Sequence, residues 1–109
     1  MLLDRTGQAM GDKSIMIDKE ELKIKAKIGD VRGYLKTVTK LKKENNDVGM
    51  VDLQFDFFEK LIKQGNPSYS VDDVKGIVES YFTEVSKEIL IALRLATRKD
   101  YEEEEQTKN

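Results

Sequence analysis

Cysteine, histidine and tryptophan are missing from this 109-residue chain, and proline occurs only once. Without cysteine no disulfide can form, and nothing in the composition favours an oxidising compartment. Without histidine or cysteine, zinc sites and His- or Cys-based nucleophilic catalysis are excluded. The longest apolar run, Ile89–Leu93, ends at Arg94 and is far shorter than the ~18 residues of a membrane span. The N-terminus has no apolar segment typical of a signal peptide, so we expect a cytoplasmic protein.

Paired carboxylates are plentiful, but their positions favour structural roles over catalysis. Asp72 and Asp73 fall in the first turn of a predicted helix, where acidic side chains complement the helix dipole. Glu102–Glu105 belong to a charged terminal segment. Neither a calcium-loop spacing nor a glycine-rich phosphate loop occurs. We therefore expect no catalytic residues, no metal and no cofactor, and the sequence predicts a binding protein rather than an enzyme.

An alternating pattern near the N-terminus predicts a β-strand. Apolar residues at 22, 24, 26 and 28 alternate with lysines at 23, 25 and 27, which places them on opposite faces of a strand. The segment 14–17 can pair with it in a hairpin that turns near Asp18–Glu21. A helix is the alternative, because Lys, Glu, Leu and Ala are all good helix formers. A lone hairpin is marginal in water, so this one must pack on the helices or on another chain's strand.

Helical periodicity dominates the remainder of the chain. Asp30 is placed to cap a helix whose apolar stripe runs from Val31 to Leu41, and Met50–Gln64 carries the densest aromatic patch. A stripe over residues 70–96 predicts two further helices with a break near 80–83. The fold class is thus mainly α: a small helical domain of three to four helices with a short N-terminal β-strand or hairpin.

The segment "GNPSYSVDD" contains the single proline and predicts a tight turn between two helices. Gly65 is expected to end the first helix in the left-handed conformation, and Pro67 prevents its continuation. Ser70 is expected to cap the next helix, with Asp73 three residues later. The turn therefore sets the angle between the two helices.

Composition divides the chain into three parts. We expect a disordered N-terminal extension over residues 1–13, a single helical domain over 14–100 and an acidic disordered tail over 101–109. Residues 1–43 carry 11 basic and 6 acidic side chains, whereas residues 44–109 carry 8 and 15. This asymmetry indicates either two solvated faces of opposite sign or head-to-tail self-association. The sequence therefore leaves homo-oligomerisation as an expectation.

The order of segments resembles a known family. Residues 15–100 contain five segments in a fixed order. A strand is followed by a basic helix, "KIGDVRGYLKTVTKLKKE", and by an aromatic helix, "VDLQFDFFEKLIKQ". The turn "GNPSYSVDDVKGIV" and the helix "FTEVSKEILIALRLA" come next, before a charged tail. This arrangement resembles the small tail assembly chaperones of long-tailed phages and prophages of Gram-positive bacteria. The quoted motifs are turns and helix starts, so they carry no chemistry. The N-terminal extension and the long acidic tail depart from the family pattern.

The resemblance implies a non-catalytic function. Such chaperones bind the tape measure protein, shield its long apolar helices and help recruit the tail tube protein. They act in the cytoplasm of the bacterial host and are absent from the mature virion, and the family also makes a longer frameshifted product. Five apolar residues off the main stripes are the predicted partner contacts: Phe57, Leu61, Leu90, Ile91 and Leu95.

Two other functions fit the same residues. One helical face carries Arg32, Lys36, Lys40 and Lys43, a basic face that suits a small nucleic-acid-associated regulator. The acidic isoelectric point, about 5.3, argues against that alternative. An oligomeric structural protein of the virion is the third hypothesis. These three functions predict different partners, which makes them separable by experiment.

Overall fold

A β-hairpin followed by four helices makes up residues 12–101, the part of the chain described by the structure, which is a computed structural model. The elements are β1 (Asp12–Ile17), β2 (Glu20–Lys25), α1 (Ile28–Lys43), α2 (Asp47–Gly65), α3 (Val71–Ser80) and α4 (Phe82–Ala92). A further helical turn occupies residues 98–101. The predicted fold class is confirmed. Most of the predicted extension and tail lies outside the described residues, although β1 begins at Asp12, inside the predicted extension.

The hairpin confirms the strand prediction over the helical alternative. β1 and β2 are antiparallel, with Ile15 opposite Leu22 and Lys13 opposite Ile24. Asp18 and Lys19 form the turn with φ values of 50° and 68°, as two-residue hairpin loops of type I′ require. Alternate residues of both strands are buried, because the hairpin lays one face on the helices. Packing on the helices supplies the burial that an isolated hairpin lacks.

Helix α2 is the centre of the fold. It packs against β2, α1, α3 and α4, while α4 also packs against β1. Phe58, Leu61 and Ile62 of α2 have no exposed surface, and Val78, Val85 and Ile89 from α3 and α4 are equally buried. Aromatic rings extend this core: the ring centroids of Phe58 and Phe82 are 6.0 Å apart, and the two rings are tilted relative to each other. The core is therefore built around one helix with neighbours on several sides.

Gly65 ends α2 as predicted, but the predicted reason is wrong. No glycine of the described residues has a positive φ, so Gly65 is not a left-handed cap. A Cβ at this position would lie 2.7 Å from the carbonyl carbon and oxygen of Lys23 and 2.8 Å from the Cα of Ile24. Glycine is needed here because β2 passes directly over the end of the helix.

Side-chain amides beside Gly65 hold β2 in this position. Gln64 Nε2 donates a hydrogen bond to the Lys25 carbonyl and Asn66 Nδ2 donates one to the Lys23 carbonyl, each at 2.7 Å. These carbonyls lie on the edge of β2 that faces away from β1. The end of α2 thus takes the place of a third strand.

The helix starts agree with the sequence in part. Ser70 caps α3 by accepting the Asp73 N–H at 3.0 Å, and α3 and α4 separate at Tyr81, both as predicted. Asp30 is not the cap residue of α1, because that helix begins two residues earlier at Ile28. Instead the Asp30 carboxylate accepts the Lys27 N–H from the third helical position at 3.2 Å. Such a reach back to the cap residue also satisfies a free N–H at the helix start.

The end of α4 contains a non-glycine residue in the left-handed region. Arg94 has a φ of 63°, and its N–H donates to the Ile91 carbonyl at 3.0 Å. The Leu95 N–H donates to the Leu90 carbonyl at 2.9 Å. These two bonds are those of a Schellman motif, in which glycine is the usual residue at the left-handed position.

Candidate partner-binding surface

Two of the five predicted contact residues are part of the core, so their assignment to a contact surface is corrected. Phe57 is 6% exposed and Leu61 is fully buried. The Phe57 ring stacks on Tyr34 of α1 with ring centroids 4.1 Å apart. Both residues lie off the main stripe of α2, but α2 is covered on several sides and off-stripe positions are buried as well. Neither side chain is available to a partner of the folded chain.

The other three predicted residues lie near the end of α4. Leu90 and Ile91 are half-buried, and Leu90 packs against the core. Leu95 is 36% exposed and follows the Schellman turn. These three residues do not form one surface with Phe57 and Leu61, since the latter are enclosed. The predicted five-residue contact surface is therefore not present.

Three of the exposed apolar side chains lie elsewhere, in the halves of α1 and α2 next to the turn that joins them. We call residues 35–56 the apolar arm. No residue of the arm is buried, although Tyr34 and Phe57 on either side of it are. Leu35, Val48 and Val51 are 43%, 74% and 43% exposed. Five further apolar side chains of the arm are half-buried: Val38, Leu41, Met50, Leu53 and Phe55.

The arm continues the apolar faces of both helices beyond the core. Leu35 lies one helical turn after Val31, which is buried, and so shares its face of α1. Val51 lies one turn before Phe55, whose ring stacks on Phe82 at 4.6 Å. Beyond these points the described residues cover the two faces only in part, since Val38 and Leu53 still pack against the core. The arm therefore has apolar surface that an apolar segment of another molecule can cover.

A groove of about 320 Å³ runs between α1 and α2 beside the arm. The α1 side of the groove has no side chain at Gly29 and Gly33, and a Cβ added at either position would meet nothing within 4 Å. The Tyr34 and Phe57 rings line the groove, and the remaining lining residues are Asp30, Thr37, Leu53, Asp56 and Lys60. The groove therefore combines stacked aromatic rings with a charged end.

Asp30 organises that charged end. Its carboxylate lies 2.8 Å from Lys60 Nζ and accepts hydrogen bonds from the Lys27 N–H and Gln64 Nε2, both at 3.2 Å. Burial favours the protonated form of Asp30, but the bonds from Lys60, Lys27 and Gln64 outweigh this and lower its pKa. The ionised carboxylate therefore links the start of α1 to α2.

Opposite charges flank the arm on its two helices. The predicted basic face of α1 is exposed along its length: Arg32, Lys36, Lys40 and Lys43. Within residues 12–101 the ion pairs are Lys60–Asp30 and Arg98–Glu88, so the basic face has none. On α2, burial raises the pKa of Glu59, with a contribution from Asp56 and Glu79, while Lys75 opposes the shift. The arm thus carries exposed cations on α1 and the exposed acidic residues Asp52 and Asp56 on α2.

Metal-ligating groups and buried polar side chains are the remaining features of interest in residues 12–101. No group of three or more acidic, histidine or cysteine side chains is placed to hold a metal ion in this part of the chain. Every buried side chain between residues 12 and 101 is apolar or tyrosine. Among the helices that the structure describes, none has the length and apolar character to cross a membrane.

Comparisons with protein-family models, with curated proteins and with solved structures find no match to this chain. The site is therefore argued from its residues alone. Sequence patterns missed the arm because Leu35 and Val51 continue the stripes that form the core, while Val48 precedes the predicted helix Met50–Gln64 and falls in α2 because that helix begins at Asp47. The closeness of these apolar residues to the turn between α1 and α2 was the one sequence feature that could have indicated an exposed surface. Helical periodicity does not show how far the neighbouring elements extend along a helix.

Proposed function

We propose that this chain is a non-catalytic tail assembly chaperone of a long-tailed phage or prophage, which binds apolar helices of the tape measure protein. The proposal is supported by the resemblance over residues 15–100 and by the apolar arm. The observation that carries it is the exposure of Leu35, Val48 and Val51 on a two-helix arm without a buried residue. As implied by the resemblance, the chaperone works in the host cytoplasm, helps recruit the tail tube protein and leaves before the virion is complete.

The arm suits recognition of an amphipathic helix. Such a helix lays its apolar stripe along an apolar surface and places its polar face toward water. Covering the exposed fractions of Leu35, Val48 and Val51 contributes about 3 kcal/mol, because full burial of such a side chain is worth about 1.5–3 kcal/mol. A contribution of this size allows reversible binding, as a chaperone that must release its client requires. Charged flanks on both helices orient a client with complementary charges.

A matched pair of variants tests the proposal. The double variant Val48→Lys/Val51→Lys places two charges on the arm, whereas Val71→Lys places one on α3, where Val71 is 57% exposed. The client is a tape measure protein of a long-tailed phage, diluted from denaturant while aggregation is followed by light scattering. Wild type and Val71→Lys are expected to suppress aggregation, and the arm variant is expected to lose this effect.

Stability measurements complete this experiment. All three proteins should unfold within about 1 kcal/mol of one another, because surface substitutions away from special features have small effects. A wild-type chain that leaves client aggregation unchanged contradicts the function. An arm variant as effective as the wild type contradicts the assignment of the surface. Copies of the chain in purified virions would favour a structural virion protein instead.

A second function is favoured by the exposed basic face of α1. Four cations at helical spacing without an ion pair in the described residues suit contact with phosphates. Lys36→Gln/Lys40→Gln should then weaken binding to duplex DNA and reduce its salt dependence, with Lys75→Gln on α3 as the control. Absence of binding at low salt rules this function out, since phosphate contacts are strongest there.

A further inference from the structure

The two edges of the hairpin differ. The outer edge of β2 is occupied, because Gln64 and Asn66 of the α2 end donate to the carbonyls of Lys25 and Lys23. β1 has β2 as its one strand neighbour in the described sheet. Any strand that joins this sheet must therefore do so along β1.

The register shows which backbone groups of β1 face outward. In an antiparallel pair, residues opposite each other either both bond across the pair or both point away from it. The Lys23 and Lys25 carbonyls point away from β1, so Ser14 and Asp12, their partners in register, point away from β2. Met16 follows by the two-residue period. Within residues 12–101 no hydrogen bond is formed by the backbone of Ser14 or Met16 at this edge.

The side chains beside this edge offer little protection against pairing. Asp12, Ser14 and Met16 lie on the solvent face, with Met16 53% exposed, while Ile15 and Ile17 are buried beneath. Natural edge strands are commonly blocked by proline, bulges or several charges. β1 contains no proline, forms a continuous six-residue ladder with β2 and has one charge on its solvent face. An unprotected edge of this kind accepts a further strand.

We propose that β1 pairs with β1 of a second copy of this chain, antiparallel and centred on Ser14, to give a four-stranded sheet across a two-fold axis. In this register Ser14 opposes Ser14, and Asp12 opposes Met16 of the second copy. These are the outward-facing residues of both strands. The three pairs make about six backbone hydrogen bonds, two for each pair.

Charge selects this register. Shifting the axis to Ile15 also aligns outward-facing groups, but it places Asp12 beside Asp18 of the second copy, which lies in the hairpin turn beyond β1 and cannot extend the ladder. Like charges directly opposite are destabilising in a sheet. Centring on Ser14 instead places each Asp12 between Lys25 of its own hairpin and an uncharged Met16. The Ser14 register therefore leaves no opposed like charges at the new junction.

A second copy is also the occupant that needs least reorganisation. β1 is already extended and held by β2 in each monomer, whereas a free peptide loses conformational entropy when it is ordered on an edge. The two-fold pairing uses the open β1 edge of both copies, and the β2 edges are occupied by the α2 ends. The assembly therefore closes as a dimer and does not grow into a filament.

Proline at the centre of the edge tests the pairing. Ser14→Pro removes an N–H that points away from β2, so the hairpin of the monomer is retained. Two hydrogen bonds at the axis are lost, which predicts a dimer dissociation constant at least ~30-fold higher. Ser14→Ala keeps the N–H and should dimerise like the wild type. Sedimentation velocity over a range of concentrations measures the constants, and circular dichroism verifies that each variant is folded.

A crosslink gives a second readout that does not depend on the proline variant folding. The chain has no cysteine, so Ser14→Cys introduces a single thiol. Hydrogen-bonded antiparallel pairs have Cα atoms about 5.5 Å apart, within the range that a disulfide spans. Oxidised Ser14→Cys should run as a covalent dimer, and Lys19→Cys in the hairpin turn should not.

Three outcomes overturn the inference. If the wild-type chain remains monomeric at high concentration, β1 does not pair with β1 of a second copy. A dimer that Ser14→Pro leaves intact, but that Val48→Lys/Val51→Lys dissociates, places the contact on the apolar arm. Equal crosslinking of Ser14→Cys and Lys19→Cys shows that the disulfide reports random collision. None of these results bears on client binding, which is measured separately.

Discussion

Gly65→Ala is expected to destabilise the protein even though alanine is the better helix former. The new Cβ lies 2.7 Å from the Lys23 carbonyl group, whereas ordinary contacts begin at 3.4 Å. Backbone atoms cannot rotate away as side chains do, so β2 has to move from the helix end by about 0.7 Å. That displacement stretches the bonds from Gln64 and Asn66, now 2.7 Å long, to the limit of hydrogen bonding.

The magnitude follows from three contributions. Overpacking costs about 1–3 kcal/mol, and weakening two hydrogen bonds costs about 1 kcal/mol each. Alanine recovers up to ~1 kcal/mol in helix propensity. The net loss in the free energy of unfolding is about 2–4 kcal/mol. Because a domain of this size loses roughly 4–8 °C in melting temperature for each kcal/mol, the melting temperature should fall by about 8–32 °C.

Urea unfolding followed by circular dichroism measures this loss, with Gly33→Ala as the matched control. Gly33 lies within α1 and its added Cβ meets nothing within 4 Å, so this variant should gain about 1 kcal/mol. Asn66→Ala should cost about 1 kcal/mol in the wild type and much less in the Gly65→Ala background, where its bond is already weakened. A Gly65→Ala protein as stable as the wild type refutes the close approach of β2 to α2.

Three further predictions concern stability. Lys19→Gly should raise the free energy of unfolding by about 1 kcal/mol in urea titrations, because a φ of 68° is strained for lysine and not for glycine; a loss of stability contradicts the described turn. Arg94→Gly should gain a similar amount for the same reason at the end of α4, and an unchanged urea midpoint argues against the left-handed Schellman residue. The pKa of Asp30 is lower in the folded chain than its ordinary value of 3.8, so its ionised carboxylate stabilises the fold at pH values above 3.8. This stabilisation is lost as the pH falls through the lower pKa of the folded chain. Asp30→Asn should therefore be less stable than the wild type at pH 7 and should lose less stability between pH 5 and 2; parallel pH profiles refute this role.

Local signals predicted the elements well because each depends on neighbours in the sequence. Alternation between 22 and 28 predicted β2, although the strand ends at Lys25 and Ile28 already begins α1, and Ser70 with Asp73 predicted the start of α3. Asp30 was predicted to act at the start of α1, and it does so from the third helical position. From that position the carboxylate also contacts Lys60 and Gln64 of α2, which are distant in sequence and could not be predicted from local spacing.

The predicted contact residues show where local reasoning ends. Phe57 and Leu61 lie off the main stripe, which suggested a surface, but α2 is surrounded by β2, α1, α3 and α4. Leu35 and Val51 lie on the stripes, which suggested a core, yet they extend beyond the elements that cover their neighbours. A helical stripe shows which residues share a face of the helix. It does not show how far along that face the packing helix or strand extends.

The sequence by itself determined a mainly helical domain of three to four helices with a strand or hairpin before them, the turn around Pro67 and the absence of cysteine and histidine chemistry, since these follow from composition and short-range spacing. Tertiary structure alone decided that Gly65 makes room for β2, that Leu35, Val48 and Val51 of the arm stay exposed and that β1 keeps an open edge. Each of these depends on the distance between segments far apart in the chain, and such distances are set by the packing of the whole fold.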